Sequence, residues 1–289
     1  MFPAAHHIDS TDGVRLAIYD LGGDGPDVIL SHATGFCAEA WSPLADALVG
    51  THRWSLDFRA HGRSTRPIDG DLSWNGVADD VLTLVDQAGL TRPFGVGHSM
   101  GGAALMLAEL TRPGLFSGIW AFEPIVIPPD LFPHEPGTDD PLSNSLSASA
   151  ARRRTTFESL DAARSNFSSK PPMSSFDPRA LEGYLHGGFE ELADGSITLR
   201  CRSTDEAQFY LMGGQHSAYE GLPLIDVPTW VVQGAETGPG PAMFAPRIAE
   251  RIPGATLVPH HELSHFGPFE APETLAAEIN DAVRSVGID

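Results

Sequence analysis

Short apolar runs alternate along this chain with segments in which apolar residues recur every three or four positions. The first pattern is typical of buried strands and the second of helices that cover a sheet. The apolar runs predict strands over 27–32, 54–58, 93–99, 118–124, 228–234 and 255–260. The amphipathic segments predict helices over 40–49, 74–88, 100–111, 243–251 and 271–286. This alternation predicts an α/β fold with a mostly parallel sheet and helices on both faces.

Two parts of the chain depart from this alternation. Residues 6–21 carry a Thr-Asp-Gly turn between two alternating segments, which predicts an antiparallel hairpin that enters the sheet. Residues 126–216 contain a Pro/Asp/Ser-rich stretch followed by helix-like segments. A structureless loop of this length would be unusual in a compact domain. We therefore predict a core formed by residues 1–125 and 217–289, with residues 126–216 inserted as a cap domain.

The strongest local motif lies at residues 94–105, which read FGVGHSMGGAAL. They contain a G-x-S-x-G motif centred on Ser99, with an apolar strand before it and a helix of small residues after it. The flanking glycines permit a sharp turn that exposes the serine hydroxyl above the sheet, and this context is what the motif needs. The sequence therefore predicts that Ser99 is a nucleophile.

Two upstream segments extend the pattern. Residues 31–41, SHATGFCAEAW, place a histidine after an apolar strand, and residues 56–64 read LDFRAHGRS. The first segment resembles the His-Gly oxyanion loop of the α/β-hydrolase superfamily, and the second resembles the D-x-R-G-x-G-x-S turn of that family. Together with the serine motif, the resemblance covers nearly the whole chain outside the predicted cap. Ala33 and Ala60 stand where that family usually has glycine. The resemblance implies an eight-stranded, mostly parallel sheet and an inserted helical cap.

A serine hydroxyl needs a neighbouring base to take its proton. Residues 264–272, SHFGPFEAP, resemble the family's G-H-F-x-x-x-E-x-P loop between the last strand and the last helix. A loop in this place can lie over the strand ends near Ser99, so His265 is the predicted base. His260 and His261 lack the following Phe and Glu, and structural or surface roles are predicted for them.

The imidazole of such a base needs a carboxylate that fixes its tautomer. In this fold the acid usually lies three residues after Gly234, where this chain has Thr237. Glu236 lies one residue earlier, and its side chain is expected to point elsewhere. Glu123 follows the apolar run 118–122, at the strand ends where the active sites of open α/β sheets gather. A buried glutamate at that place is costly unless it is paired.

The segment around this glutamate supports the same choice. Residues 118–128, GIWAFEPIVIP, are similar to the corresponding segment of haloalkane dehalogenases and of zearalenone lactonase, whose triad acid follows this strand. The chain order serine, glutamate, histidine is also kept. The prediction is a triad of Ser99, Glu123 and His265, with Glu236 as the alternative acid.

Acyl transfer needs two donors aimed at the developing oxyanion. One is predicted to be the amide of Met100, which follows the nucleophile. The spacing from His32 to Trp41 equals that of the dehalogenase loop, which places Thr34 where the family's second donor lies. Phe36 is the alternative second donor, and the Thr34 hydroxyl is a further candidate.

A substrate pocket is predicted between the strand ends and the cap. His32 and His98 flank the site and are predicted to hold loops by hydrogen bonds. Aromatic and aliphatic walls favour a hydrophobic acyl or lactone substrate. The predicted lining comprises Phe36, Trp41, His98, Ile125 and Val126 and, from the cap, Phe157, Phe167, Tyr184 and Phe189.

A serine at position 99 excludes the carboxylate attack of dehalogenases and epoxide hydrolases. Serine with histidine and glutamate predicts an acyl-enzyme that water then hydrolyses, and so cleavage of a carboxylic ester, a lactone or a thioester. Carbon–carbon bond hydrolases, perhydrolases and acyltransferases use the same triad, so these chemistries stay open. The alternative to an enzyme is a hormone-type receptor, which keeps the triad but turns its ligand over slowly.

Charge and composition narrow the possible partners. The formal net charge of −20, with 18 Lys and Arg against 38 Asp and Glu, argues against nucleic acid and anionic membranes as partners. The one basic run, 152–154, is predicted to be a solvated turn that opens a helix. Cys37 and Cys201 are too few for a disulfide framework.

The remaining expectations concern cofactor, assembly and compartment. The sequence shows no metal-binding cluster and no nucleotide-binding loop, so no cofactor and no metal are expected. No secretory signal and no apolar run of 18 residues is visible. We therefore expect a cytoplasmic protein, a monomer or homodimer, whose partner is a small hydrophobic ester or lactone.

Overall fold

The structure is a computed structural model that describes residues 2–131, 141–238 and 240–287. Its strands are β1 (His6–Asp9), β2 (Arg15–Gly22), β3 (Asp27–Ser31), β4 (His52–Asp57), β5 (Phe94–His98), β6 (Gly118–Phe122), β7 (Thr156–Phe157), β8 (Phe189–Glu191), β9 (Ile197–Leu199), β10 (Thr229–Gln233) and β11 (Thr256–Pro259). Its α-helices are α1 (Ser42–Ala47), α2 (Trp74–Gln87), α3 (Met100–Thr111), α4 (Pro141–Ala151), α5 (Leu160–Ser168), α6 (Pro178–Gly188), α7 (Ser203–Met212), α8 (Ala218–Gly221), α9 (Phe244–Arg251), α10 (Gly267–Glu270) and α11 (Pro272–Ser285).

Eight of these strands form one sheet in the order β1-β2-β4-β3-β5-β6-β10-β11. Strands β1 and β2 form the predicted hairpin, and β2 is also antiparallel to β4. The other neighbours are parallel. The predicted fold class is confirmed, and each predicted apolar run overlaps one strand of this sheet. The central strands β5 and β6 are buried on both faces, which is why they form continuous apolar runs in the sequence.

Helices cover both faces of the sheet, as the side chains of β6 illustrate. Ile119 and Ala121 join the apolar cluster beneath α2, α3 and α9. Trp120 and Phe122 point to the opposite face and join the cluster beneath α1 and α11. This alternation follows from the two-residue period of a strand. None of the helices in the described ranges is long and apolar enough to cross a bilayer.

The chain between β6 and β10 holds helices α4 to α8 and a second, antiparallel sheet in the order β7-β9-β8. The segment that the sequence predicts to be helical therefore also contains a small sheet. The basic run 152–154 follows α4 and does not open a helix. Phe157 and Tyr184 of this segment share a buried cluster with Phe36 and Phe269 of the core. The segment thus packs on the loops at the carboxyl ends of the central strands.

A buried ion pair ties the turn after β4 to α2. The side chains of Arg59 and Asp80 are both fully buried, and Nη2 lies 3.0 Å from Oδ1. Asp80→Asn leaves the buried guanidinium with only the partly exposed carboxylate of Asp12 as a charged partner, so the free energy of unfolding is expected to fall by about 3–5 kcal/mol. Urea denaturation measures this change. Asp86→Asn, which breaks the half-exposed pair with Arg112, is the control and should cost less than about 1 kcal/mol. Equal losses in the two variants would contradict the prediction.

Candidate active site

Ser99 occupies the tight turn between β5 and α3, with a φ of 56° and a ψ of −117°. A positive φ is uncommon for a residue other than glycine. A Cβ atom on Gly97 would lie 2.7 Å from the backbone of Gly102, and one on Gly101 would lie 2.1 Å from the carbonyl oxygen of Ser31. Glycine at these two positions therefore lets the strand and the helix approach closely. The turn brings Ser99 to the wall of a cavity.

His265 lies in the loop between β11 and α10 and lines the same cavity as Ser99. Its Nδ1 atom is 2.6 Å from Oε2 of Glu123, so Nδ1–H donates to the carboxylate. The Glu123 side chain is 1% exposed, whereas that of His265 is 25% exposed. A buried carboxylate thus fixes one nitrogen of the imidazole, and Nε2 is left as the nitrogen that can accept a proton.

Glu123 follows β6 and is held by β10 and the residue after it. Its main-chain N–H donates to the carbonyl oxygen of Val232 at 2.8 Å, and its φ is 42°. Its second carboxylate oxygen, Oε1, accepts a hydrogen bond of 2.7 Å from the amide of Gly234. Each carboxylate oxygen therefore has a partner, which offsets the cost of burying the group.

The alternative acid lies elsewhere. Glu236 and Thr237 are exposed in the loop that follows β10. The structure brings Glu123 to Nδ1 of His265, and Glu236 remains at the surface. The carboxylate that faces the histidine therefore follows β6, in the segment 118–128 from which the sequence predicted the acid.

His98, directly before Ser99, supports the loop that carries His265. Its Nε2 atom is 2.7 Å from the main-chain oxygen of His265, and the two ring centroids are 4.8 Å apart. Burial lowers the pKa of His98 well below its usual value, so the ring is neutral and Nε2–H is the donor. Nδ1 makes no hydrogen bond with any residue that the structure describes. This arrangement agrees with the expectation that His98 holds a loop.

Two buried histidines fix the loop after β3. His32 donates from Nδ1 to the carbonyl oxygen of Ala33 and accepts at Nε2 from the amide of Phe58. His61, which the sequence analysis did not single out, accepts at Nε2 from the amide of Gly35 at 2.9 Å. Burial lowers the pKa of His32 to about 4 and that of His61 to about 3. Both rings are therefore neutral at pH 7, and a single nitrogen of each can accept a hydrogen bond.

These contacts distinguish the candidate oxyanion donors. The amide of Phe36 donates to the carbonyl oxygen of Ala33 at 3.1 Å, and that of Gly35 is bound to His61. The hydroxyl of Thr34 donates to Sδ of Met100 at 3.3 Å, so this hydroxyl is not available as an oxyanion donor in this arrangement. The amide of Met100 opens α3, where first-turn N–H groups have no acceptor within the helix. The amides of Thr34 and Met100 are the better candidates.

A cavity of about 500 Å³ lies over Ser99 and His265. Phe36, Ile125 and Phe167 line it, as the sequence suggested. Other predicted lining residues are buried behind its wall instead, in apolar clusters or, for His98, beneath His265; these are Trp41, His98, Val126, Phe157, Tyr184 and Phe189. Further lining residues are far apart in the chain and carry no local signal in the sequence, among them Trp74, Arg153, Lys170, Glu206, Tyr210 and Phe244. Within the described ranges, no cluster of His, Cys, Asp and Glu side chains is arranged to hold a metal ion.

The relationship to known proteins agrees with this geometry. Residues 28–278 match the model of the alpha/beta hydrolase family.

The chain belongs to this family.

Among its relatives, the putative carbamate hydrolase RutD of Caulobacter segnis is 34% identical over 109 residues, which are 36% of this chain and 40% of that protein. The chain thus matches about two fifths of the length of that relative. The bifunctional esterase/perhydrolase DCH of Acinetobacter calcoaceticus is 24% identical over 294 residues, covering 96% of this chain and 99% of the relative.

Solved structures share the fold of this alpha/beta hydrolase. An E-2-(acetamidomethylene)succinate hydrolase aligns with a TM-score of 0.78 and 19% identity, over 98% of this chain and 100% of that chain. An esterase from Exiguobacterium antarcticum aligns with a TM-score of 0.73 and 19% identity, over 96% and 98% of the two chains.

Proposed function

We propose that this alpha/beta hydrolase is a serine hydrolase that cleaves a carboxylic ester or lactone through an acyl-enzyme. The observation that carries the proposal is the 2.6 Å contact between Nδ1 of His265 and the buried carboxylate of Glu123. His265 lines the same cavity as Ser99. Such a carboxylate keeps the imidazole in the tautomer whose Nε2 can take the serine proton.

In the first step, Oγ of Ser99 attacks the carbonyl carbon of the substrate while Nε2 of His265 takes the hydroxyl proton. Glu123 stabilises the imidazolium that forms. The amides of Met100 and Thr34 donate to the oxyanion of the tetrahedral intermediate. When that intermediate collapses, the imidazolium gives its proton to the departing alkoxide, and the acyl group stays on Ser99.

In the second step, His265 takes a proton from water, and the resulting hydroxide equivalent attacks the acyl carbon. Collapse of the second tetrahedral intermediate releases the acid, and the proton returns to Oγ of Ser99. The segment 126–216 acts in this proposal as a cap over the reaction. Its support is the apolar cluster that packs this segment on the loop of Phe36 and on Phe269.

Perhydrolysis is a second candidate, because a relative aligned over nearly the whole chain is a bifunctional esterase/perhydrolase. Hydrogen peroxide would replace water as the attacking group and release a peracid. Adding peroxide to an ester assay and titrating the peracid tests this candidate directly. An unchanged carboxylic acid yield with no peracid would exclude it.

The proposed ester hydrolysis is tested by turnover of p-nitrophenyl butyrate and a panel of lactones, together with labelling by a fluorophosphonate. Turnover at ordinary enzyme rates and a single phosphonate adduct on Ser99, located by mass spectrometry, are expected. Labelling of Ser99 without turnover of any ester or lactone would contradict the proposed substrate class. Absence of both labelling and turnover would contradict the role of Ser99.

Gly234 offers a separate test of the geometry around the acid. A Cβ atom at this position would lie 2.8 Å from Oε1 of Glu123 and 2.9 Å from the carbonyl oxygen of Leu263. Gly234→Ala is therefore expected to displace the carboxylate or the loop of His265. A displacement of about 1 Å lowers kcat by about 10²-fold. Steady-state hydrolysis of p-nitrophenyl butyrate measures the loss.

The control for this variant is Gly188→Ala, whose Cβ atom would make an ordinary contact of 3.5 Å with Tyr184. This control should keep the wild-type kcat. Both variants should show the wild-type circular dichroism spectrum. If Gly234→Ala were as active as Gly188→Ala, the close approach at Gly234 would have no part in positioning Glu123.

A further inference from the structure

One wall of the otherwise largely apolar cavity is polar. Arg153, Glu206 and Tyr210 line this part, which we call the polar wall. Arg153 belongs to the basic run that the sequence suggested was a solvated turn. Its neighbours Arg152 and Arg154 are exposed, whereas the Arg153 side chain is 22% exposed and turns inward. The substrate therefore meets an ion pair as well as apolar side chains.

The contacts of the polar wall leave hydrogen-bonding capacity on both partners of this pair. Nη1 of Arg153 donates to Oε2 of Glu206 at 2.6 Å, and Nη2 donates to the hydroxyl of Tyr184 at 2.9 Å. A guanidinium has five N–H groups and a carboxylate can accept about four hydrogen bonds. Donors of Arg153 and acceptor sites of Glu206 thus remain beside each other at the cavity.

The wall is placed near the reacting centre. A Cβ atom on Gly35 would lie 2.6 Å from Oε1 of Glu206, so this carboxylate approaches the loop that carries the proposed oxyanion donor Thr34. Burial, and then the charge of Glu206, raise the pKa of Tyr210, so its phenol stays protonated and can donate. A substrate group a few atoms from the reacting carbonyl can therefore reach these side chains.

Charge matching selects among polar ligand groups. Arg153 and Glu206 neutralise each other, and Glu206 is only 7% exposed. A substrate carboxylate would bring a second anion next to Glu206, and an ammonium would bring a second cation next to Arg153, each at low dielectric. A hydroxyl can accept from the guanidinium and donate to the carboxylate at once. Lys170, the other cation of the lining, is exposed, and its ammonium is bound to Asn166 at 2.9 Å.

We propose that the polar wall makes this enzyme selective for substrates that carry an uncharged hydroxyl, aliphatic or phenolic, on the part that fills the cavity. This inference rests on the proposed ester or lactone hydrolysis. An unsubstituted alkyl or phenyl group would cover the wall and leave the remaining donors of Arg153 and acceptor sites of Glu206 without partners. A hydrogen bond to a charged group corresponds to a preference of about ten- to a hundred-fold.

The test compares kcat/KM for matched pairs of esters that differ by one hydroxyl. Suitable pairs are 3-phenylpropanoates and their 2-, 3- and 4-hydroxyphenyl analogues, and acetates of the corresponding alcohols. At least one hydroxylated ester is expected to be preferred at least ten-fold over its parent. Because a single substitution would leave one buried charge unpaired, the variant is the double substitution Arg153→Met with Glu206→Met. It should abolish the preference, while Arg152→Met, at an exposed neighbouring arginine, should keep it.

Several results would overturn the proposal. One such result is that the wild-type enzyme prefers none of the hydroxylated esters. This measurement does not depend on the folding of any variant. Another is a preference that persists in the double variant. A third is a stronger preference for the matched esters that carry a carboxylate, since Arg153 would then be an anion site.

A binding measurement separates this inference from the proposed reaction. Ser99→Ala is titrated calorimetrically with 3-phenylpropanamide and its hydroxyphenyl analogues. If the wild type cleaves no ester, the proposed reaction fails, but ten-fold tighter binding of a hydroxylated amide still supports the polar wall. Equal binding of all these amides would overturn the polar wall, whether or not esters are cleaved.

Discussion

Glu123→Gln is expected to lower kcat for p-nitrophenyl butyrate by about four orders of magnitude, the loss that the corresponding amide substitution causes in serine proteases. Glutamine keeps the size of the side chain but replaces one carboxylate oxygen by an NH₂ group. Such a side chain favours the wrong imidazole tautomer and cannot balance the charge of the imidazolium. The substituted group is 1% exposed, so bulk water cannot take over this role. Steady-state kinetics at matched concentrations of folded protein measures the effect.

Glu236→Gln is the matched control for this prediction, because it makes the same chemical change at the alternative acid. Its side chain is exposed, and the variant should keep the wild-type kcat. If Glu236→Gln lost its activity and Glu123→Gln kept the wild-type kcat, the triad acid would be in the loop after β10. Wild-type rates in both variants would show that neither carboxylate is the triad acid.

Ser99→Ala is expected to lower kcat by about six orders of magnitude, because a serine nucleophile and its base act as one unit. The variant should also resist labelling by a fluorophosphonate. Its fold should be unchanged, since the main-chain amide of Ser99 donates to the carbonyl oxygen of Phe122 at 3.0 Å and needs no side-chain oxygen. Thermal unfolding together with kinetics separates loss of the nucleophile from loss of structure.

Ser145→Ala is the control for this second prediction, because it removes an exposed hydroxyl from α4. It should keep both the activity and the labelling of the wild type. If Ser99→Ala kept more than a small fraction of the rate after the same purification, the nucleophile would have to be another group. The covalent mechanism proposed above would then fail.

The main sheet and its helices were predictable because their signals are local. The central strands β3, β5, β6 and β10 are apolar runs, and helices such as α2 and α11 show a period of three to four residues, so a short window of sequence contains the information. The small sheet between β6 and β10 escaped, because β7, β8 and β9 are only two or three residues long. Such short strands have no measurable period, and cross-strand pairing alone defines them.

By itself, the sequence determined the fold class, the serine turn and the candidate residues Ser99, Glu123 and His265. Only the tertiary structure brought Oε2 of Glu123 to within 2.6 Å of His265, 142 positions away, and gave Oε1 its partner Gly234, 111 positions away. It also turned one of three consecutive arginines, Arg153, into the cavity. A side chain's partner across the fold depends on how distant elements pack, and local sequence does not contain that information. Motifs therefore revealed which residues can react, whereas packing decided which of them meet.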